Sequence, residues 1–196
     1  KHVTAARVAA IDVKAHAVTS PGEWLECDLV ASSGGYSPVV HLASHLGGKP
    51  IWREDILGFV PGEAPQKRVC VGGINGVYGL GDSLADGFEG GARAAAEAGF
   101  QMVEGVLPKA LSRLEEPTLA LFQVPHEKNT ARAPKQFVDL QNDVTAAAIE
   151  LATREGFESV EHVKRYTALG FGTDQGKLGN VNGLAIAARS LNVTIP

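Results

Sequence analysis

Cysteine is nearly missing from this chain of 196 residues: only Cys27 and Cys70 occur, each inside a short apolar run. Two thiols are too few for a cysteine-built metal centre, and they are expected as a buried, reduced pair in a cytoplasmic protein rather than as a disulfide. Long hydrophobic runs are also missing, so no segment is expected to span a membrane. The start, "KHVTAARVAAIDVKAH", has no apolar core ahead of a cleavage site, so no signal peptide is expected in it. An excess of positive charge is missing too. With 18 basic and 22 acidic residues and a net charge of -4, nothing points to a nucleic-acid partner. The sequence lacks an initiator methionine and stops at Ile195-Pro196 without tapering, as a piece of a longer polypeptide would. No Ser/His/Asp or Cys/His arrangement stands out, so no residue is assigned a catalytic role. His41 and His45 are spaced i,i+4 without a third ligand, and His162 lies in mid-helix, so no metal site is expected.

What is present divides along the chain. The first third reads as strands: "ARVAAIDVKAH", a turn at Pro21-Gly22, and the return "WLECDLVASSGGYSP". "DLVAS", ending in Gly34-Gly35, is expected as a buried strand with a ligand-facing end, and "RVCVGG" repeats that pattern. The alanine-rich run from Ser83 to Ala98 is expected as a helix closed by Gly99. Strand, glycine turn and helix together make half of a nucleotide-binding α/β unit. Prolines and charges crowd the stretch from Leu107 to Pro134. Three helices are then expected: one capped by Asp143 or Thr145 and stopped at Gly156, one from a Ser159 cap to Gly170, and one through "NGLAIAARSLN". No repeat of solenoid period occurs.

The glycine pattern carries the first candidate site. Gly72, Gly73, Gly76, Gly79 and Gly81 clear side chains where a strand hands over to a helix, so backbone N–H groups can approach an anion such as pyrophosphate. Ligand contact is expected from Gly73 to Leu80, whereas Gly87, Gly90 and Gly91 are expected to serve helix packing. A G-x-G-x-x-G after a first strand is absent.

These residues carry a resemblance. "DLVASSGGYSP" and "VCVGGING…LADGFEGGARAAAEAG", from Cys27 to Phe100, resemble the closing segment of flavoproteins with two dinucleotide-binding domains. That family places an aspartate for the flavin ribityl chain where Ile74 follows Gly73 here, which points away from FAD towards another dinucleotide. "ALFQVP" and "FVDLQNDVTAAAIELATREGFESVEHVKRYTALGFGTDQGKLGNVNGLAIAA" resemble the alpha subunit of heterotetrameric sarcosine oxidases, bacterial enzymes.

The resemblance implies a fold class and a domain plan. Residues 1–107 would be the C-terminal part of an NAD/FAD-type, partly Rossmann-like α/β domain, 108–134 a connector, and 135–196 a small all-α module like those that bind a two-iron cluster. It implies an enzyme that converts sarcosine, oxygen and folate to glycine, peroxide and methylene-folate. FAD would lie in the beta subunit, FMN at the alpha–beta contact, and folate in a domain downstream of Pro196. Partners would be the beta subunit and smaller subunits. Carried over residue by residue, Gly73, Ile74, Asn75, Tyr78 and Leu80 would lie against NAD. The phosphate loop would lie upstream of Lys1, so the fragment alone would be inactive.

The cluster ligands of such a module would fall near Asp139 to Gln141 and within Thr173 to Asn180. None of these is cysteine, so an iron–sulfur cluster is not expected. The loop "RYTALGFGTDQGKLGN" is instead assigned to FMN and the subunit contact. Arg165 and Lys177 would neutralise its phosphate, Thr167 and Thr173 would hydrogen-bond to it, and Gln175 would meet the flavin edge. Lys164 reads as part of a solvated helix face, Asp174 as a turn cap, and Tyr166 as core. Two other readings stand beside this one. One is a non-catalytic scaffold. The other is a subunit of a related amine or opine dehydrogenase or of a cyanide-forming glycine oxidase, relatives that tend to keep the cluster cysteines.

Overall fold

Every strand pairs with a partner close in sequence in the computed structural model, which describes residues 2–45, 47–101, 105–110 and 118–195. β1 (Ala5–Val8) pairs antiparallel with β2 (Glu23–Glu26), β3 (Ile51–Arg53) with β4 (Gly58–Val60), and β5 (Phe137–Asp139) with β6 (Val144–Thr145). The fold is mixed helix and strand, but the sheets among the described residues are three antiparallel pairs, not a parallel Rossmann sheet. Neither "DLVAS" nor "RVCVGG" forms a strand. A parallel strand satisfies its N–H and C=O groups only through neighbours, and no strand lies beside either segment. Leu29 and Val30 accordingly remain 74% and 56% exposed. Arg68 supplies a substitute tie, donating to the carbonyls of Ala43 (2.6 Å) and Gly62.

The chain divides into two compact units, residues 2–32 with 119–195, and residues 33–118. The expected grouping of 1–107 is corrected on this point. The loop joining β1 to β2 packs with the segment around Gln123, which buries Ala15 to 7% exposure, so the first hairpin belongs with the helical module. Part of the expected connector (119–134) joins that unit as well. Residues 111–117 of it lie outside the described residues. Cys27 and Cys70 are free and half-exposed rather than buried, and they fall in different units.

In the 33–118 unit, α1 (His41–Ser44) is a single turn and α2 (Leu80–Glu97) a long helix that begins three residues ahead of the expected Ser83. It stops where expected, with Gly99 in the left-handed region at φ +85°. Of Gly87, Gly90 and Gly91, Gly90 alone is buried against a neighbour: a Cβ there would meet Val71 Cγ1 at 2.2 Å. Nothing lies within 4 Å of a Cβ at Gly87 or Gly91. Close packing is therefore confined to Gly90.

In the other unit, α3 (Ala146–Arg154), α4 (Val160–Thr167) and α5 (Asn180–Leu191) enclose one core. Thr145 Oγ1 accepts from Ala148 N at 3.2 Å, the cap expected from sequence, whereas Ser159 precedes α4 without a side-chain bond. Ile149, Val163, Leu169 and Ile186 are almost fully buried, with Ala146, Ala152 and Ala187 letting the helices close around them. At about 1.5–3 kcal/mol for each large side chain, this cluster is the unit's main hydrophobic store. Tyr166, expected in the core, stands 49% exposed and packs on Phe157 at 4.8 Å between ring centres. No helix among the described residues is long and apolar enough to cross a membrane.

Candidate functional site

The glycine turn between Val71 and α2 gathers the five residues expected against NAD. A 3-10 turn covers Gly72–Asn75, bounded by the left-handed Gly72 (φ +69°) and Gly76 (φ +76°). Three of its N–H groups are occupied within the fold. Gly72 N donates to Asp86 Oδ2 at 2.6 Å, Gly76 N to Gly73 O at 3.1 Å, and Val77 N to Gly72 O at 3.2 Å. Asn75 is engaged at both ends, its Nδ2 donating to Cys70 O at 2.5 Å and its carbonyl accepting from Arg53 Nη1 at 3.0 Å. At the start of α2, Asp82 folds back over Gly79, where a Cβ would lie 2.8 Å from Asp82 Oδ2.

A carboxylate there answers the positive end of the helix, the feature that would otherwise attract a phosphate. From sequence, pyrophosphate is expected in this turn; the N–H groups of Gly72, Gly76 and Val77 serve the fold, and the Asp82 carboxylate stands beside the helix start. Asp82 and Asp86 escaped the sequence reading, although two acids spaced i,i+4 in the opening turns of the helix were a readable signal. What remains open is apolar. Gly73 and Leu80 are exposed, Ile74 and Tyr78 half-buried, and Tyr78 packs against Tyr36 at 5.6 Å between ring centres. Burial raises the Tyr78 phenol above its ordinary range, with Arg53 pulling weakly the other way.

The second candidate site lies where β5, β6 and the loop from Ala168 to Gly179 meet. Asp139 is buried to 6% exposure, yet both its oxygens are occupied. Oδ1 accepts from Gln141 N (2.8 Å) and Asn142 N (3.0 Å), and Oδ2 accepts from Gly170 N (2.9 Å). Burial by itself would raise this carboxyl. The Gly170, Asn142 and Gln141 N–H donors outweigh it and hold the group below the usual carboxylate range. Next to it, Gln141 Oε1 accepts from Thr173 N (2.6 Å) and Thr173 Oγ1 (2.8 Å). The segments that the resemblance marked for cluster ligands do come together, and a carboxylate and an amide fasten them by hydrogen bonds. Among the described residues no group of His, Cys, Asp and Glu is placed to hold a metal ion.

The rest of the loop is closed by the same means. Asp174 caps its own turn, accepting from Gly176 N (3.2 Å) and Leu178 N (3.3 Å). Gly176, at φ +74°, lies so close to Asn180 that a Cβ would meet its Nδ2 at 2.2 Å. Asn180 Oδ1 is buried without a hydrogen-bond partner. Thr167 and Thr173, expected as phosphate donors, spend their hydroxyls inside the fold, Thr167 donating to Val163 O at 2.7 Å and Thr173 to Gln141. They position the loop. Arg165, Gln175 and Lys177 do reach solvent, beside the exposed Leu140, Phe171 and Leu178. Lys164 pairs with Glu161 at 3.6 Å, as a solvated helix face would.

Comparison with known proteins agrees with the motifs. Residues 133–196 match the family model of the sarcosine oxidase A3 domain. The chain is 39% identical over 178 residues to sarcosine oxidase subunit alpha of Rhizobium meliloti (strain 1021), covering 88% of this chain and 17% of that protein. It is 37% identical over 173 residues to the subunit alpha of Corynebacterium sp. (strain P-1), covering 87% and 18%, and 36% identical to that of strain U-96 over the same shares. The chain thus spans under a fifth of the length of the relatives it resembles. In fold it is similar to the crystal structure of L-proline dehydrogenase from P. horikoshii, with a TM-score of 0.59 at 18% identity over 91% of this chain and 37% of that one.

Proposed function

We propose that this chain is a central part of the alpha-type subunit of a sarcosine-oxidising flavoenzyme, and that its helical unit presents a contact for FMN and the partner beta subunit. The observation that carries this reading is the clamp of Asp139 on Gly170 and Gln141 on Thr173, which fixes the loop and leaves its rim outward. On that rim, Arg165 and Lys177 supply positive charge for a phosphate, and Gln175 offers an amide to the flavin edge. Phe171 and Leu178 give up water to a partner surface. When bound, FMN would supply electron transfer from amine oxidation to oxygen. Among the described residues no nucleophile or base is assigned to that oxidation, and the chain's residues orient the flavin and shield it. Oxidation of the amine belongs to FAD on the beta subunit, and transfer of the one-carbon unit to a folate domain. In the other unit, Tyr36, Tyr78 and Leu80 form an apolar seat for a ring of NAD, whose phosphates are held elsewhere. Two free thiols suit the cytoplasm.

The test is flavin content in the complex assembled with its beta and smaller subunits. Lys177→Ala and Arg165→Ala lower bound FMN several-fold while assembly is unchanged by size-exclusion chromatography, and Lys164→Ala leaves it intact. Full flavin content in both variants overturns the loop assignment. It would favour the second reading, a non-catalytic scaffold, which one observation supports: the N–H groups of Gly72, Gly76 and Val77 in the glycine turn are engaged within the fold.

A further inference from the structure

A cleft of about 400 Å³ opens in the 2–32 and 119–195 unit, between the loop of the first hairpin, the segment from Gln123 to Gln136, and α5. That volume lies in the range of small-molecule sites. Its histidine, lysine and arginine lining residues come from three separate pieces of chain: His16, then His126 and Lys128, then Arg189. No Asp or Glu lines it, in a chain where acids outnumber bases 22 to 18. We propose that this cleft binds a small oxyanion, a carboxylate or a phosphate, a role separate from the flavin and partner contact.

The floor of the cleft is assembled in advance. Gln123 Nε2 donates to Gln136 Oε1 (2.6 Å) and Thr130 Oγ1 (3.2 Å), and Gln136 Nε2 donates to Val124 O (2.6 Å). Thr130 Oγ1 donates to Glu150 Oε1 at 2.8 Å. Arg189 Nη2 donates to Gln123 Oε1 and lies 3.4 Å from Glu150 Oε1. One nitrogen thus fixes the plane of the guanidinium, while Nε and Nη1 make no hydrogen bond among the described residues. A planar fork with donors to spare suits a two-oxygen contact. His126 Nδ1 accepts from Lys128 N at 3.0 Å, which places the ring proton of the neutral form on Nε2. That nitrogen donates to an anion whether or not the ring is charged. His16 is held at the hairpin loop by Asp12, whose Oδ1 accepts from His16 N (2.5 Å) and Ala17 N (2.8 Å). Asp12 and Glu150 are already engaged, and Glu127, between His126 and Lys128 in the chain, is exposed and does not line the cleft.

The test follows the imidazole resonances of His16 and His126 by NMR in the 196-residue chain. Inorganic phosphate and malonate are titrated separately at constant ionic strength, so that plain screening does not imitate a site. The expected result is saturable shifts of both rings with at least one probe, with a Kd tighter than about 1 mM. Arg189→Gln weakens binding at least ten-fold and Lys128→Gln several-fold, while Arg93→Gln on α2 has no effect. Saturation by phosphate alone or malonate alone identifies the anion. Lys128 has an exposed side chain without a hydrogen bond, so its variant stays informative even if Arg189→Gln disturbs the fold. Shifts that never saturate with either probe, or equal affinity in Lys128→Gln, overturn the proposal.

Discussion

Asp139 shows how a single side chain can do structural work that a metal does elsewhere. Its buried carboxylate takes three backbone N–H groups, one of them 31 residues away. Because its pKa is held below the ordinary carboxylate value, the folded state binds fewer protons than the unfolded one as pH drops past that value. The stability it contributes is fully present above about pH 4 and is lost as pH falls through the folded pKa. Denaturant midpoints measured against pH are expected to show this acid limb, and Asp139→Asn to flatten it while lowering stability at neutral pH by about 2–4 kcal/mol. Gln141→Ala removes the acceptor for Thr173 N and is expected to cost about 1–2 kcal/mol, with faster hydrogen exchange at Thr173. The sequence marked both positions as lacking cysteine. It did not reveal their new partners, because contacts more than 30 residues apart leave no periodic trace.

Among the elements, those whose signals are local were legible. Thr145, Gly99 and Gly156 cap or stop helices as their chemistry dictates, and α3 to α5 fall where expected. The expected parallel strands failed because a strand depends on a neighbour that composition does not supply. Helix α2 offers a sharp contrast among its glycines. Gly90→Ala pushes a methyl into Val71 and is expected to destabilise the 33–118 unit by about 1–3 kcal/mol. Gly87→Ala and Gly91→Ala meet open space and are expected to stabilise it by about 0.5–1 kcal/mol each. Thermal unfolding of the three variants checks both signs. Equal effects at all three positions would mean that α2 does not lean on Val71.

At the scale of the whole molecule, exposed apolar side chains are spread along the chain, and three of them border one loop. Leu140, Phe171 and Leu178 flank the residues that Asp139 and Gln141 hold together, a surface suited to a partner. Hydrogen exchange compared between the chain alone and the chain assembled with the proposed flavin-bearing partner subunit addresses that surface directly. Slowed exchange from Arg165 to Gly179, with the Gly72–Leu80 turn unchanged, is the result this account predicts. Unchanged exchange in the loop, with protection falling on the glycine turn instead, would contradict it.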